Sequence, residues 1–200
     1  MHLKRIITGL VALPFLIYLI AKGGLPFFVL VLIAALLALW EYLKIVYAVP
    51  ARPVLSLLSG LAMIMAVLIL WAAFRARFDL IILILAADVI LAGVIATAEY
   101  SRDIAILDAV VKQVTGLLYV PVLLAHILLL RNGGDGMIWV FLLICLVFSN
   151  DIGAFYTGTF LGRHKLCPSV SPGKTIEGSL GGLTACFIVG IAFRLFLLPG

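Results

Sequence analysis

Two short stretches of this 200-residue chain carry side chains able to do chemistry. The first holds Asp151, a carboxylate near the end of a long apolar run that starts at Met137. About 14 residues of helix at ~1.5 Å each put it ~21 Å along that run, at or below lipid headgroups. Holding a carboxylate there costs at least ~2.5–3.5 kcal/mol on insertion scales. Such a group is retained where a cation, a partner or a water-filled cavity meets it. Asp151 therefore reads as a metal ligand or a substrate-cavity acid; the plain alternative is an interfacial carboxylate that reaches water.

The second stretch is Ser171-Pro172-Gly173-Lys174-Thr175, which runs into another apolar segment at Gly178. Ser followed by Pro is a good N-cap and first helical residue. A helix starting there points unpaired N–H groups and its positive dipole end outward. Those amides, with Lys174 and Thr175, suit a phosphate, and Arg163, His164 and Lys165 add positive charge. The alternative is an ordinary cap beside basic residues that fix orientation. The Gly173-Lys174-Thr175 triplet is not a P-loop, because Pro168 stands where the leading glycine belongs and no strand precedes it.

Other polar residues carry less. His126 stands alone in an apolar run and is expected to hydrogen-bond a neighbouring helix. Glu41 and Glu99 end apolar runs as interfacial anchors, and Arg194 is expected to snorkel outward. Cys145, Cys167 and Cys186 match no zinc or thioredoxin spacing, and the first and last lie in apolar segments as packing groups. The pair Gly178 and Gly182 suggests close helix packing, while Gly158 and Gly162 suggest tight turns.

The elements that must position these residues follow from composition. Apolar residues make up 66% of the chain and charged residues 12%, against roughly half and a quarter in soluble domains. A bilayer is the natural solvent for this excess. The basic residues sit singly in short gaps, so the net charge of +5 reflects orientation and anionic lipid, with no nucleic-acid surface. About seven candidate spans appear: 6–21, 25–40, 54–74, 80–98, 114–130, 137–156 and 178–198. A polar amphipathic stretch, 99–113, precedes the fifth. The runs are continuous, not alternating, which excludes a transmembrane barrel. The fold class is all-α, a polytopic membrane protein, with residues 1–200 as one integral membrane domain and 157–177 as its motif loop.

With the N-terminus cytoplasmic, Lys4, Arg5, Lys44, Arg52, Arg102, Lys112, Arg163, Lys165 and Lys174 fall on the cytoplasmic side. Lys22, Arg75, Arg77, Arg131 and Arg194 fall on the other. The excess belongs inside, so the N-terminus and the 157–177 loop are expected to face the cytoplasm.

The motif residues also carry a resemblance. They are Asp151, Ala154, Tyr156 and Gly158; then Phe160, Gly162, His164, Lys165, Leu166 and Pro168; then Ser171, Pro172, Lys174, Thr175, Glu177, Gly178, Gly181 and Gly182. In this order they resemble the bacterial phosphatidate cytidylyltransferases, and Gly24-Leu25-Pro26-Phe27 and Glu41-Tyr42 are similar too. The resemblance implies condensation of CTP with phosphatidate to CDP-diacylglycerol and pyrophosphate, with Mg2+ or another divalent cation. It implies a multi-pass protein of the bacterial inner membrane. It implies Asp151 and Lys174 as catalytic residues, Asp151 as metal ligand, and Lys165, Ser171, Pro172, Thr175, Glu177 and Gly178 as substrate-binding residues. A further acidic signature that the family carries near its C-terminus has no counterpart before Pro199-Gly200. A homodimer, or a chain supplying that segment, is therefore an expected partner. A non-catalytic relative that binds nucleotide or anionic lipid, and a small transporter, are the competing functions.

Overall fold

A computed structural model describes residues 2–47 and 53–198. Arg52, assigned above to the cytoplasmic side, lies outside the described residues. The chain divides into two compact units, Met1–Gly134 and Asp135–Gly200. Among the described residues six helices are long and apolar enough to cross a membrane, so the fold is an all-α, multi-pass membrane protein.

The first unit begins with α1 (His2–Lys22) and α2 (Gly24–Tyr47). Gly23 and Gly24 separate them at φ of 62° and 58°, a left-handed backbone that favours glycine. Then come α3 (Pro53–Phe74) and α4 (Phe78–Glu99). α5 (Ile106–Leu117) continues through a π-helical turn at Leu118–Val122 into α6 (Leu123–Arg131). Pro121 sits in that turn. It has no N–H to give the helical ladder, and the wider turn absorbs the missing bond without breaking the run.

This corrects the reading of residues 99–113. From Ile106 onward they belong to a single 26-residue span ending at Arg131. The period of the segment is amphipathic because Ile106, Ala109, Gln113 and Gly116 are buried on one face, while Lys112 and Asp108 pair at 2.7 Å on the other.

Lipid tails are as apolar as leucine, so close packing has to hold such helices together. α3 is built for this: Leu58, Ala62, Ala66, Ile69, Leu70 and Ala73 are all fully covered. Phe28 of α2 lies 4.8 Å from the Phe74 ring and edge-on to Trp71 at 5.8 Å. Tyr42 and Tyr47 of α2 donate to the carbonyls of Lys112 and Ala109 on α5.

Helix ends are joined by one short turn. Arg131 donates through Nε to the Ile20 carbonyl at 2.8 Å and through Nη2 to Ala21 at 3.0 Å. Asn132 donates to the carbonyls of Ala73 and Phe74. Two neighbouring side chains thus cap the C-termini of α1 and α3, whose last carbonyls have no intrahelical partner. His126, by contrast, contacts the Val122 carbonyl at 2.7 Å, one turn back in its own helical run rather than on a neighbouring helix.

The second unit is a helical hairpin, α7 (Gly136–Leu161) and α8 (Ile176–Phe196), joined by a small antiparallel sheet of β1 (Lys165–Cys167) and β2 (Ser171–Thr175). The expected loop over 157–177 is thus helical to Leu161 and then a strand pair. Arg194 bonds the Leu198 carbonyl just past the end of α8, and the Cys186 thiol bonds the Leu146 carbonyl at 3.2 Å.

Replacing Arg131 with Met keeps the stem and removes the donors. We expect a loss of about 1–3 kcal/mol, the cost of hydrogen bonds to a charged group left unmade. It would be read as a lower melting midpoint of the detergent-solubilised protein.

Candidate functional site

The site is built where α7 ends and α8 begins. Residues four apart on a helix share a face. On α7 this gives two neighbouring stripes, Asn150–Ala154–Gly158 and Asp151–Phe155–Thr159. The first stripe meets α8 at glycines. A Cβ added to Gly182 would stand 2.6 Å from Asn150 Oδ1 and 2.8 Å from its carbonyl oxygen, and one added to Gly178 would stand 2.9 Å from the Ala154 carbonyl oxygen. At Gly181 it would run into the Thr157 side chain. The Gly178–Gly182 spacing therefore brings the two backbones together, as expected. Gly158 differs from expectation: it is helical, in the last turn of α7, and packed on Thr175 and Gly178.

Ser171 does not cap a helix. It opens β2, paired with Cys167, and Thr175 pairs with Lys165. Between these pairs β2 runs two residues longer than β1. Pro172 and Gly173 lie in that irregular stretch, which suits a residue that cannot donate to the ladder and one without a side chain. The helix cap is Thr175, extended at φ −123° and ψ 155°, whose hydroxyl accepts from the Gly178 N–H at 3.1 Å. The Ile176 N–H donates to the His164 carbonyl at 2.9 Å. Two first-turn amides of the helix that actually forms, α8, are thus used internally.

Glu177 completes the corner. Its carboxylate accepts from the Arg163 N–H at 3.1 Å and the His164 N–H at 3.2 Å, and it meets His164 Nδ1 at 2.6 Å. This clamps the chain leaving α7 to the first turn of α8.

The arrangement leaves a cleft of about 690 Å³ within this unit. Asp151, Lys165, Lys174, Thr175 and Gly178 line it, together with Asn150, Phe155, Thr159, Gly173 and Ser179. Ser171, Pro172 and Glu177 are not among its lining residues. One carboxylate therefore shares a cleft with two lysines, and none of the three takes part in the ion pairs found among the described residues. Asn150, Thr159 and Ser179 were missed in the sequence. Helical spacing from Asp151 would have found Thr159, and spacing from the Thr175 cap would have found Ser179.

Among the described residues no cluster of three or more His, Cys, Asp or Glu side chains could hold a metal by itself. The donor set of the cleft, one carboxylate with neutral oxygens beside it, suits a hard cation that takes one or two carboxylates and completes its shell with water and phosphate oxygens.

Fold and cleft together define a multi-pass membrane protein with a charged cleft between the ends of two packed helices. The model of the cytidylyltransferase family matches residues 3–199, and the chain belongs to that family. It is 27% identical over 199 residues to the phosphatidate cytidylyltransferase of Bacillus subtilis (strain 168), covering 96% of this chain and 71% of that one. It is 28% identical over 193 residues to that of Staphylococcus aureus (strain COL), covering 96% and 72%.

The glycine seam can be tested directly. Gly182→Leu drives a side chain into Asn150 and is expected to cost about 1–3 kcal/mol, as overpacking does. Gly190→Ala, where a Cβ meets open space, should leave the melting midpoint unchanged.

Proposed function

We propose that this chain transfers a cytidylyl group from CTP to phosphatidate, forming CDP-diacylglycerol and pyrophosphate in phospholipid biosynthesis. The observation that carries the reading is the cleft in which Asp151 lies with Lys165 and Lys174 at the end of two membrane helices. Family membership supports the reaction class, and the names of the relatives supply the acceptor.

The chemistry suits the place. A phosphate oxygen of phosphatidate attacks the α-phosphorus of CTP, the bond from that phosphorus to the bridging oxygen breaks, and pyrophosphate leaves. The nucleophile comes with the lipid, so the protein's task is to position and to stabilise charge. Lys165 and Lys174 bind and orient the phosphates as mobile point charges. Thr175 holds the first turn of α8, and with it the wall of the cleft, in place. Asp151 would hold a divalent cation such as Mg2+, which when bound offsets charge on the phosphate oxygens. Phosphatidate arrives sideways from the lipid and CTP arrives from water.

This reading places the protein in the bacterial inner membrane, with the N-terminus and the strand pair on the cytoplasmic side where CTP is found. Support comes from the excess of basic residues assigned to that side.

Two measurements test the proposal. In membranes supplied with CTP, phosphatidate and Mg2+, Asp151→Asn and Lys174→Ala should each lower product formation by ~10²-fold or more, the scale seen when a preorganised charge-stabilising group is removed. Wild-type rates in both variants would refute the site. Saturable CTP or phosphatidate binding with no turnover would favour a non-catalytic role. Cys167 is exposed at the end of β1. It should react with a membrane-impermeant maleimide in inverted vesicles and stay unlabelled in intact spheroplasts; the reverse pattern would refute the orientation.

A further inference from the structure

The first unit contains an acid that the cleft does not use. Asp88 lies near the middle of α4 (Phe78–Glu99), about 15 Å from either end of that span. Its side chain is 0% exposed, and so is that of Gln113 on α5. Gln113 Nε2 donates to Asp88 Oδ1 at 2.7 Å. The other oxygen of each side chain, Asp88 Oδ2 and Gln113 Oε1, is buried with no hydrogen-bond partner.

Both unpartnered atoms are acceptors if Asp88 is ionised, so neither can satisfy the other. An isolated carboxylate at that depth would also carry the full cost of a charge in the bilayer centre. Among the described residues no cation pairs with it. α3, which packs beside α4, has no titratable residue. On α5, Lys112 pairs with Asp108 on the other face. On α2 the nearest titratable group is the Tyr47 phenol, whose hydroxyl donates to the Ala109 carbonyl at 3.2 Å. Asp79 and Glu99 are at the far ends of α4.

One proton resolves every term. We infer that Asp88 carries a proton on Oδ2 and donates it to Gln113 Oε1, closing a cyclic acid–amide pair. The pair then has two hydrogen bonds, no net charge and no unpaired buried oxygen. It is a proton-holding site sealed between α4 and α5, and it fixes the register of the amphipathic helix against its neighbour. A sequestered water or monovalent cation would leave the carboxylate ionised and is the competing occupant.

The inference is independent of the catalytic reading and is tested on the full chain in nanodiscs. Infrared difference spectra of wild type against Asp88→Asn at neutral pH should show the carbonyl stretch of a protonated carboxylic acid, lost in the variant. Asparagine rebuilds the two-bond ring as an amide–amide pair, so Asp88→Asn should melt within about 2 °C of wild type. Asp88→Leu, which strands both polar atoms of Gln113, should melt several degrees lower. A carboxylate stretch removed by Asp88→Asn would overturn the inference. So would a midpoint that depends on Na+ or K+ concentration, or an Asp88→Asn variant as unstable as Asp88→Leu.

Discussion

The contact between α7 and α8 decides what the second unit can do. In lipid there is no hydrophobic force to press one apolar helix on another, so adhesion grows with the closeness of the backbones. Gly178, Gly181 and Gly182 remove the side chains that would hold α8 away from Asn150, Ala154 and Thr157. The result is more than adhesion. Once the seam is closed, the last turns of α7 and the first turn of α8 are fixed side by side, and Asp151 faces whatever the connection between them presents.

That connection is short and polar, and it is held at its base by bonds that do not depend on substrate. Glu177 gathers the N–H groups of Arg163 and His164, and Thr175 caps the helix whose first turn holds Glu177. With the base tied down, β2 carries Lys174 and β1 carries Lys165 to the cleft. Hydrogen bonds already made at the base of such a connection spare the ordering entropy that a free loop would lose on binding a ligand. The motif residues thus fall into two groups: those that meet the cleft, and those, like Glu177, that keep the rest in position.

Much of this was legible in the sequence. Continuous apolar runs gave the spans, because hydrophobic length is a bilayer's main demand, and an Asp in such a run singled out position 151. Family-like order in the motif located both lysines. The strand pair was not legible. Ser171-Pro172 is an equally good beginning for a helix, and only the pairing with Lys165–Cys167, a tertiary fact, decides against it. For the same reason Glu177 read as a binding residue: a sequence shows a carboxylate but not the two backbone amides it has already taken. The start of the fifth span was misplaced because Lys112 and Asp108 neutralise each other on one face of α5, which composition counts as two charges. Asp88 shows the same local sign as Asp151, a carboxylate in an apolar run, but no motif flanks it, and Gln113, 25 positions away, gives no local sign of partnership.

The two membrane acids, Asp151 and Asp88, show why burial by itself does not assign a role. A carboxylate in a span has three ways to be tolerated: reach water, meet a cation, or give up its charge. Asp151 is exposed at the wall of a cleft that also holds two lysines. There it reaches water, and its oxygens are open to a cation. Asp88 is closed off from solvent and faces a neutral amide. Neither of the first two routes is open to it, so the third remains. The same side chain is therefore open to a ligand in one place and a structural fastener in the other. The difference lies in what surrounds it: α7 ends in an exposed connection that brings two lysines to the cleft, whereas Asp88 is sealed against the amide of Gln113.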